Sequence, residues 1–462
     1  MGNPCVDYDT FSFFMCSSTL NSIVDPAHSS VVDPMNLHLN NYYINSSHNT
    51  YLTGDQLQSE SSVEMYRKVL QDGCRCVEID CWDGPNNDPI VYHGHTATSK
   101  IRFEDVIKTI DKYAFRPNHT VEQPSVLEYP VILSLEVHTS LEQCDVMATM
   151  LKTILGPKLL LPDENVPYTP ENLKGRILVK WKGKATDDDD IKDTEGSGIR
   201  RDRVQQSTYS LRLSGCSTVC STKSSCWGEE ALPHNVQSYS EPTVFRIAKE
   251  DPINLAKQNT RMLTRVYPAG SRVRSTNYDP MVPWCLGCHM VALNFQTNDR
   301  ALGLNRGFFA SQNNGCGYVL KPLSLRDVES TLKHTRFTLS LTVASGNQLS
   351  ESCLQETLTD AYVEACIYGS EDSAKVTRPV SGDVVHPVWN ESFTLHGDNY
   401  DLDVLCLQVS AYDEKRSRHD LGSAFIPVKV LRPGYRAVPL SHPSGKGNLQ
   451  FASIVCSVSV KL

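Results

Sequence analysis

The sequence predicts an α/β fold, a TIM (β/α)8-type barrel, followed by a smaller all-β domain. Short apolar or β-rich runs alternate with helix patterns in the first two thirds of the chain, and this alternation is typical of a parallel sheet. Most runs also end in a polar side chain, as expected when about eight parallel strands carry functional groups at their carboxyl ends. The runs are Tyr42–Asn45, Cys74–Asp80, Pro89–Tyr92, Val131–Leu135, Arg176–Val179, Val236–Ser238, Leu263–Tyr267 and Val291–Phe295.

Seven of the eight predicted strands each place a different chemical group at one rim of the barrel. In chain order these groups are His48 with Asn49, Glu78 with Asp80, His93, Glu136, Lys180 with Lys182, Ser238, and Arg265 with Tyr267. Between two of the strands, Val106, Ile107, Ile110, Tyr113 and Ala114 follow the 3.6-residue period of a helix. The sequence therefore predicts a single active-site rim.

Two carboxylates on the second run indicate a metal site. Glu78 and Asp80 alternate with Val77 and Ile79, so both carboxylates lie on one face of the strand. Burying such a pair is costly unless a positive charge lies between them, and oxygen ligands are those that Ca²⁺ prefers. His48 is the nearest group that can transfer protons at neutral pH. Metal-assisted acid/base chemistry is the first hypothesis.

Length and composition limit the alternatives. The chain has 462 residues, which predicts two or three domains, and its net charge of −9 argues against a nucleic-acid partner. We find neither an apolar run long enough to span a bilayer nor a signal peptide, so the sixteen cysteines are expected to be reduced thiols. Cys216, Cys220 and Cys226 are compatible with either a zinc site or a loop of free thiols, and free thiols are favoured.

The last third of the chain reads as an antiparallel sandwich, because short segments of alternating polarity follow one another without helix patterns. The predicted strands are Phe337–Val343, Tyr362–Ile367, Ser392–Leu395, Leu405–Ala411 and Ile454–Val460. Between the two halves of the barrel, residues 183–207 hold the run Asp187–Asp190 and no apolar period, so a flexible acidic linker is predicted after the fifth strand.

Several long motifs resemble those of eukaryotic phosphoinositide-specific phospholipase C. The motifs are SSHNTYLTGDQL, GCRCVEIDCWDG, YHGHTATSKI and YPVILSLE in the first half, and TRVYPAGSR, VALNFQT and NNGCGYVLKP in the second. They cover roughly residues 36–326, while Val385–Glu391 and Ala411–Asp413 resemble parts of a C2 domain.

The resemblance implies five regions, in chain order: 1–35 a short N-terminal segment, 36–182 the X catalytic half, 183–207 the acidic linker, 208–326 the Y catalytic half and 334–462 the C2 domain. The first is either a remnant of the family's helical EF-hand region or the start of a shortened form.

The resemblance also implies the site and the reaction. Asn49, Glu78, Asp80 and Glu136 would surround one catalytic Ca²⁺, with His48 and His93 as the catalytic pair. Lys180, Lys182, Ser238, Arg265 and Tyr267 would bind the inositol headgroup. The implied reaction converts phosphatidylinositol 4,5-bisphosphate to diacylglycerol and inositol 1,4,5-trisphosphate in intracellular signalling. We expect a cytoplasmic monomer, peripheral on membranes, whose partner is the phosphoinositide lipid.

Two other functions stay open. A catalytically silent scaffold that binds phosphoinositides is the main alternative, because some members of the family have lost catalysis. A glycerophosphodiester hydrolase on a similar barrel is less favoured, since it explains neither the basic cluster nor the C2-like domain. In that domain Asp360 and Asp413 remain, but Ala411 and His386 replace an expected Asp and Asn, so weak or absent Ca²⁺ binding is predicted there.

Overall fold

The computed structural model describes residues 6–115, 128–181, 210–221, 232–327, 334–349, 358–370, 373–443, 445 and 448–462. These residues form two compact units. The barrel unit comprises Pro34–Tyr278 and Leu286–Thr297. The sandwich unit comprises the described residues before Pro34 together with Asp279–Cys285 and Asn298–Leu462.

Eight parallel strands close into a barrel within the described part of the barrel unit. They are β1 Ser46–Ser47, β2 Cys76–Trp82, β3 Val131–His138, β4 Ile177–Trp181, β5 Val219–Cys220, β6 Val236–Ser240, β7 Leu263–Tyr267 and β8 Met290–Leu293. Each strand pairs with the next one along the chain, and β8 pairs with β1. A single bridge between Ser221 and Val236 completes the ring between β5 and β6. The predicted (β/α)8 barrel is therefore confirmed.

Two predicted barrel strands were wrong, and one barrel strand was missed. Tyr42–Asn45 was predicted as the first barrel strand, but Tyr42–Ile44 lies outside the barrel sheet, in which Ser46–Ser47 is the first strand. Pro89–Tyr92 was predicted as a barrel strand, but only Ile90–Val91 is extended, and it pairs antiparallel to the end of β2 and to Ile101–Arg102. The missing barrel strand is β5, which is too short to show an alternating pattern. Four described barrel strands therefore precede residue 182, and the predicted acidic linker follows the fourth strand instead of the fifth. The linker, residues 183–207, lies outside the described residues.

Helices lie between the strands. They are α1 Val63–Gln71, α2 Phe103–Tyr113, α3 Leu141–Leu155, α4 Leu211–Ser214, α5 Glu241–Glu250 and α6 Pro252–Asn259. In α2 the predicted period is confirmed, since Val106, Ile107 and Ile110 are all buried. The α3 helix begins where the Ser140 hydroxyl accepts a hydrogen bond from the Gln143 N–H, and it ends at Gly156, whose φ of +51° suits glycine.

The sandwich unit contains an antiparallel sheet of nine strands within its described residues. These are β9 Phe337–Asn347, β10 Leu358–Tyr368, β11 Lys375–Val376, β12 Val380–Ser381, β13 Val388–Gly397, β14 Val404–Asp413, β15 Arg418–Pro427, β16 Gly434–Ser441 and β17 Asn448–Lys461. The sheet order is β11-β10-β14-β15-β16-β17-β9-β13, with β12 also on β10. All five predicted strands lie within this set. Sequence reasoning missed β11 and β12, which have two residues each, and also β15 and β16, in which Gly422, Gly434 and Pro439 interrupt the alternation.

Further elements belong to the same chain. The sandwich unit also holds helices Tyr8–Cys16, Met281–Cys285 and α7 Arg300–Ala310, and short strands occur at Tyr42–Ile44 and Tyr318–Leu320. Short 3₁₀ turns lie at Pro26–Ser29, Leu39–Asn41, Pro85–Asn87, Gly156–Lys158, Asn313–Gly315, Leu323–Leu325 and Val428–Val430. Among the described residues, no helix combines the length and apolar character that crossing a bilayer requires.

The described cysteines carry free thiols, as the sequence predicted for them. Cys216 and Cys220 are among these, whereas Cys226 lies outside the described residues.

Close packing of α7 on β15 gives a stability prediction. A Cβ added at Gly307 would overlap the carbonyl oxygen of Phe425. Alanine normally stabilises a helix interior by up to about 1 kcal/mol over glycine, but this overlap reverses the sign. We expect Gly307→Ala to lower the free energy of unfolding by about 1–3 kcal/mol, measured by calorimetry. Gly270→Ala is the control, because no heavy atom lies within 4 Å of its added Cβ. A Gly307→Ala protein as stable as the parent would contradict this packing.

Candidate active site

A cleft of about 300 Å³ opens at the carboxyl ends of the barrel strands. Six residues predicted from the sequence line it: His48, Asn49, Asp80, His93, Glu136 and Tyr267. Glu78, Lys180 and Arg265 are buried, with 3–8% of their surface exposed. Lys182 lies outside the described residues.

Three carboxylates meet at the centre of this rim. Glu78 and Asp80 lie on β2, and Asp80 is directly opposite Glu136 on β3 in the parallel register. One oxygen from each of the three lies within 4.8 Å of the others. Glu78 and Asp80 are buried, whereas the Glu136 side chain is 58% exposed. The strand alternation thus gathers negative charge at one point.

Ionisation is unfavourable at Asp80, unlike at Glu78. Burial, followed by repulsion from Glu78 and Glu136, raises the pKa of Asp80 well above the ordinary aspartate value. The Tyr51 hydroxyl donates a hydrogen bond of 2.6 Å to one Asp80 oxygen, Oδ2. The other oxygen, Oδ1, is buried without a hydrogen-bond partner among the described residues. A buried, unpartnered carboxylate oxygen beside two further carboxylates fits a hard cation such as Ca²⁺.

Glu78 is held ionised by a buried ion pair. Its Oε1 lies 2.8 Å from Nη2 of Arg265 on β7, and its Oε2 accepts a hydrogen bond of 2.9 Å from the Asn49 N–H. Burial opposes ionisation, but Arg265 and then His48 outweigh it, so the pKa of Glu78 is lowered. Because β1 and β8 separate β2 from β7, this ion pair crosses the inside of the barrel.

Asn49 is positioned to offer its side-chain oxygen. It follows β1 with φ of +39°, a conformation that asparagine tolerates better than most residues. Its Nδ2 donates a hydrogen bond of 2.8 Å to the Gln56 Oε1. The amide nitrogen is therefore engaged, and Oδ1 is the atom available to a cation.

The tautomer of His48 follows from its neighbours. The His48 N–H donates to the Leu293 carbonyl at 2.8 Å, which fixes the backbone. Nδ1 lies 3.0 Å from the Asn294 Oδ1, and Asn294 turns its Nδ2 to the Thr276 carbonyl. Since an amide oxygen only accepts, Nδ1 carries the hydrogen and Nε2 is left for the cleft, 3.9 Å from Glu78 Oε2. Burial lowers the pKa of His48, which favours the neutral ring.

His93 is also oriented through a hydrogen bond at Nδ1. Its Nδ1 donates a hydrogen bond of 2.6 Å to the backbone carbonyl of Gln56. The hydroxyls of Thr96 and Thr98 both donate to the His93 carbonyl and hold the loop that carries it. His93 was predicted at a barrel strand end. It instead follows the outer strand Ile90–Val91, yet it lines the same cleft.

A basic group lies beside the carboxylates. The Lys180 Nζ donates a hydrogen bond of 3.2 Å to the Ser134 hydroxyl, and burial, followed by repulsion from Arg265, lowers the pKa of Lys180 to about 8. Ser238 is the register neighbour of Arg265, and its hydroxyl is buried without a hydrogen-bond partner in the described structure. The Arg265 guanidinium carbon lies 6.0 Å from the Tyr267 ring centre.

Sequence reasoning missed residues that orient the site. Gln56 bonds to Asn49 and Asn294, and its own carbonyl holds His93. The motifs SSHNTYLTGDQL and VALNFQT contain Tyr51, Gln56 and Asn294, so motif membership could have marked these residues as candidates. Trp82 was also missed; it lines the cleft and stacks on His138 with ring centres 4.1 Å apart.

The predicted acidic pair of the sandwich unit is engaged by basic side chains. Asp360 Oδ2 lies 2.9 Å from Nη1 of Arg416, and the Ser381 hydroxyl donates to Asp360 Oδ1. Asp413 Oδ2 lies 3.2 Å from Nε2 of His419. Among the described residues, Glu78, Asp80 and Glu136 are the one acidic group arranged for a metal ion.

The raised pKa of Asp80 gives a second stability prediction. The folded protein binds this proton more tightly than the unfolded chain, so ionisation of Asp80 destabilises the metal-free fold as pH rises above the ordinary aspartate range. Asp80→Asn removes that charge. We expect it to raise the melting temperature, measured in chelator at pH 7.5, by about 2 °C or more.

The matched control for this measurement is Asp163→Asn, which changes an exposed aspartate of the same unit. Its melting temperature should equal that of the parent. An Asp80→Asn protein that melts below the parent in chelator would show that the Asp80 carboxylate stabilises the metal-free fold.

Comparison with known families and structures agrees with this geometry. Residues 35–183 match the model "Phosphatidylinositol-specific phospholipase C, X domain", residues 214–324 match its Y domain, and residues 337–440 match the C2 domain. The crystal structures of S. officinalis PLC21 and L. pealei PLC21 each align with 98% of this chain and 59% of their own, at 30% identity and a TM-score of 0.80.

Named relatives extend the match. The chain is 36% identical to 1-phosphatidylinositol 4,5-bisphosphate phosphodiesterase delta-4 of Xenopus laevis and 37% identical to the delta-1 protein of Homo sapiens. Each alignment covers 95% of this chain and 62% of the relative. The chain thus spans about three fifths of the length of these relatives. With both catalytic halves and the C2 domain matched in order, it belongs to the phosphatidylinositol-specific phospholipase C family.

Proposed function

We propose that the chain is a Ca²⁺-dependent phosphoinositide phospholipase C. It would hydrolyse phosphatidylinositol 4,5-bisphosphate to diacylglycerol and inositol 1,4,5-trisphosphate in intracellular signalling. The observation that carries this proposal is the group of three carboxylates within 4.8 Å, flanked by two histidines whose Nδ1 atoms are engaged elsewhere. The relatives are named for the same bisphosphate lipid, which supports the choice of substrate.

Four oxygen-bearing residues would hold the cation: Asn49, Glu78, Asp80 and Glu136. The buried Oδ1 of Asp80 supports this assignment, because the described residues give this oxygen no hydrogen-bond partner. When bound, a Ca²⁺ ion would lower the pKa of the inositol 2-hydroxyl and balance the charge that develops on the phosphate.

The two histidines would act on opposite sides of the phosphodiester. A phosphate anion beside His48 favours its protonated form, and Nε2 then donates to the phosphate oxygens in the pentacoordinate state. His93, which lies on a loop at the edge of the cleft, would protonate the departing diacylglycerol oxygen. In both rings Nδ1 donates a hydrogen bond to a neighbouring oxygen, so each ring would act through Nε2.

Headgroup selection would rest on the basic group. Lys180 and Arg265 present two buried cations, and the Tyr267 ring lines the cleft. Ser238 on β6 adds a buried hydroxyl that has no hydrogen-bond partner among the described residues. Point charges together with one guanidinium suit the phosphates of a bisphosphate headgroup. Lys182 is part of the same proposal, although it lies outside the described residues.

The domain bounds, the cellular location and the monomeric state expected from the sequence are part of this proposal. Residues 36–182 and 208–326 would be the two catalytic halves, joined by the linker 183–207, with 334–462 as the C2 domain and 1–35 before them. The protein would act as a cytoplasmic monomer, peripheral on membranes. A silent scaffold is less well supported, since each described position that the resemblance assigns to catalysis or to the metal holds the expected residue type.

One assay distinguishes the enzyme from the scaffold. Purified chain is mixed with vesicles that contain labelled phosphatidylinositol 4,5-bisphosphate, and free Ca²⁺ is set by chelator buffers. We expect water-soluble inositol trisphosphate to appear and its rate of release to rise with Ca²⁺. Vesicle binding without release at any Ca²⁺ concentration would favour the scaffold and overturn the enzyme.

Loss of either histidine gives the third prediction. His48→Ala or His93→Ala should lower turnover by at least ~10², because each removes a proton-transfer or charge-stabilising group. The control is His38→Ala, an exposed histidine of the same unit, which should keep the parent rate. Near-normal hydrolysis by folded His93→Ala would remove His93 from the mechanism.

Asn294 gives the fourth prediction as a positioning residue. Asn294→Ala frees the His48 ring to change tautomer, so the turnover number should fall by about tenfold or more while KM changes little. Asn294→Asp places a negative charge 3.0 Å from Nδ1, which should raise the pKa of His48. The limb of the pH–rate profile that reports the titration of His48 should then shift to higher pH. An unchanged profile in Asn294→Asp would mean that this contact does not control His48.

A further inference from the structure

Two cysteines lie directly opposite each other on neighbouring strands of the sandwich unit. Cys366 on β10 is the register partner of Cys406 on β14. On these strands Ala365, Ile367, Leu405 and Leu407 point into the sandwich core. Because side chains alternate along a strand, both thiols lie together on the outer face of the sheet.

The backbone spacing of this pair is compatible with a disulfide. On β10, the N–H and the C=O of Val363 both form hydrogen bonds with Thr377, on the side of the strand away from β14. Because backbone N–H and C=O groups alternate in direction along a strand, those of the even-numbered residues, including Cys366, face β14. Cys366 and Cys406 are therefore a hydrogen-bonded pair, with a typical Cα separation of about 5.5 Å. Disulfides span Cα separations of about 4.4–6.8 Å.

A guanidinium lies against the more accessible sulfur. Nη2 of Arg300, the first residue of α7, is 2.9 Å from the Cys366 Sγ, and the guanidinium also stacks on the Tyr368 ring at 5.0 Å. Cys366 is partly exposed, whereas Cys406 is buried. A hydrogen bond from the Cys406 thiol, and then the charge of Arg300, lower the pKa of Cys366 to about 6. The thiolate form of Cys366 is thereby favoured, and the Cys406 sulfur lies beside it.

We propose that Cys366 and Cys406 form a reversible oxidation site for hydroperoxides. The Cys366 thiolate attacks one peroxide oxygen, the O–O bond breaks and an S–O bond forms, which leaves a sulfenic acid on Cys366. The departing hydroxide or alkoxide takes a proton from solvent water. Sulfur loses two electrons and the peroxide gains them. The Cys406 sulfur then attacks Cys366, the S–O bond breaks, and the departing hydroxide takes the Cys406 proton to form water. A thiol reductant restores both cysteines.

The reactivity of Cys366 can be measured against a thiol of the same unit. Cys456 is buried, and burial raises its pKa to about 12. Alkylation of the native full chain, followed by peptide mass spectrometry, should modify Cys366 at least ~10² faster than Cys456. Equal rates would overturn the proposal. Arg300→Met should slow Cys366 alkylation by about tenfold or more, while Arg306→Met on the same helix should leave it unchanged.

Oxidation products test the second step. After treatment with hydrogen peroxide, the parent should yield a cross-linked peptide pair joining residues 366 and 406, two hydrogens lighter than the thiols and reversed by dithiothreitol. Cys406→Ser should stop at a sulfenic acid on Cys366, which dimedone traps. Absence of the cross-link in the folded parent, or first oxidation at another cysteine, would contradict the site.

Discussion

The buried ion pair between Glu78 and Arg265 is the contact on which the candidate site depends. It crosses the barrel interior from β2 to β7, with 2.8 Å between the charged atoms. Two buried carboxylates and two buried cations share this interior, and such charges are tolerable only when they are paired and hydrogen-bonded. Glu78 is balanced by Arg265, whereas Asp80 is not balanced directly. The structure therefore places a buried carboxyl group without an ion-pair partner among the described residues at the point where a cation is proposed to bind.

A second set of contacts fixes the orientation of the groups around that charge. Gln56 links the two halves of the site, because its side chain bonds to Asn49 and Asn294 while its carbonyl holds His93. In both histidines Nδ1 is thereby engaged, and Nε2 is left for the cleft that the two rings line. Orientation and charge thus have separate sources. The amide network of Gln56 and Asn294 orients the two histidines, and the ion pair with Arg265 favours the ionised form of Glu78. Preorganisation of this kind is what lowers a reaction barrier in a charged transition state.

Much of this arrangement could be predicted from the sequence, for reasons that also explain the failures. Strand alternation put Glu78 and Asp80 on one face, and strand order put Glu136 beside them. The pattern failed at Val219–Cys220, where two residues are too few to show a period, and at Pro89–Tyr92, where an antiparallel extension looks like a barrel strand. The Glu78–Arg265 pair and the Gln56 contacts join residues distant in the chain, so no local pattern reveals them. The acids of the C2 domain were identified, but their partners Arg416 and His419 were not.

We propose that the barrel holds one cation site and that the C2 acids, paired with Arg416 and His419, do not form another. Calorimetric titration of the metal-free full chain with Ca²⁺ measures the number of ions bound. We expect one ion per chain at micromolar to submillimolar Ca²⁺, lost in Asp80→Asn and retained in Asp360→Asn. Binding that persists in Asp80→Asn, or a second ion that Asp360→Asn removes, would contradict it.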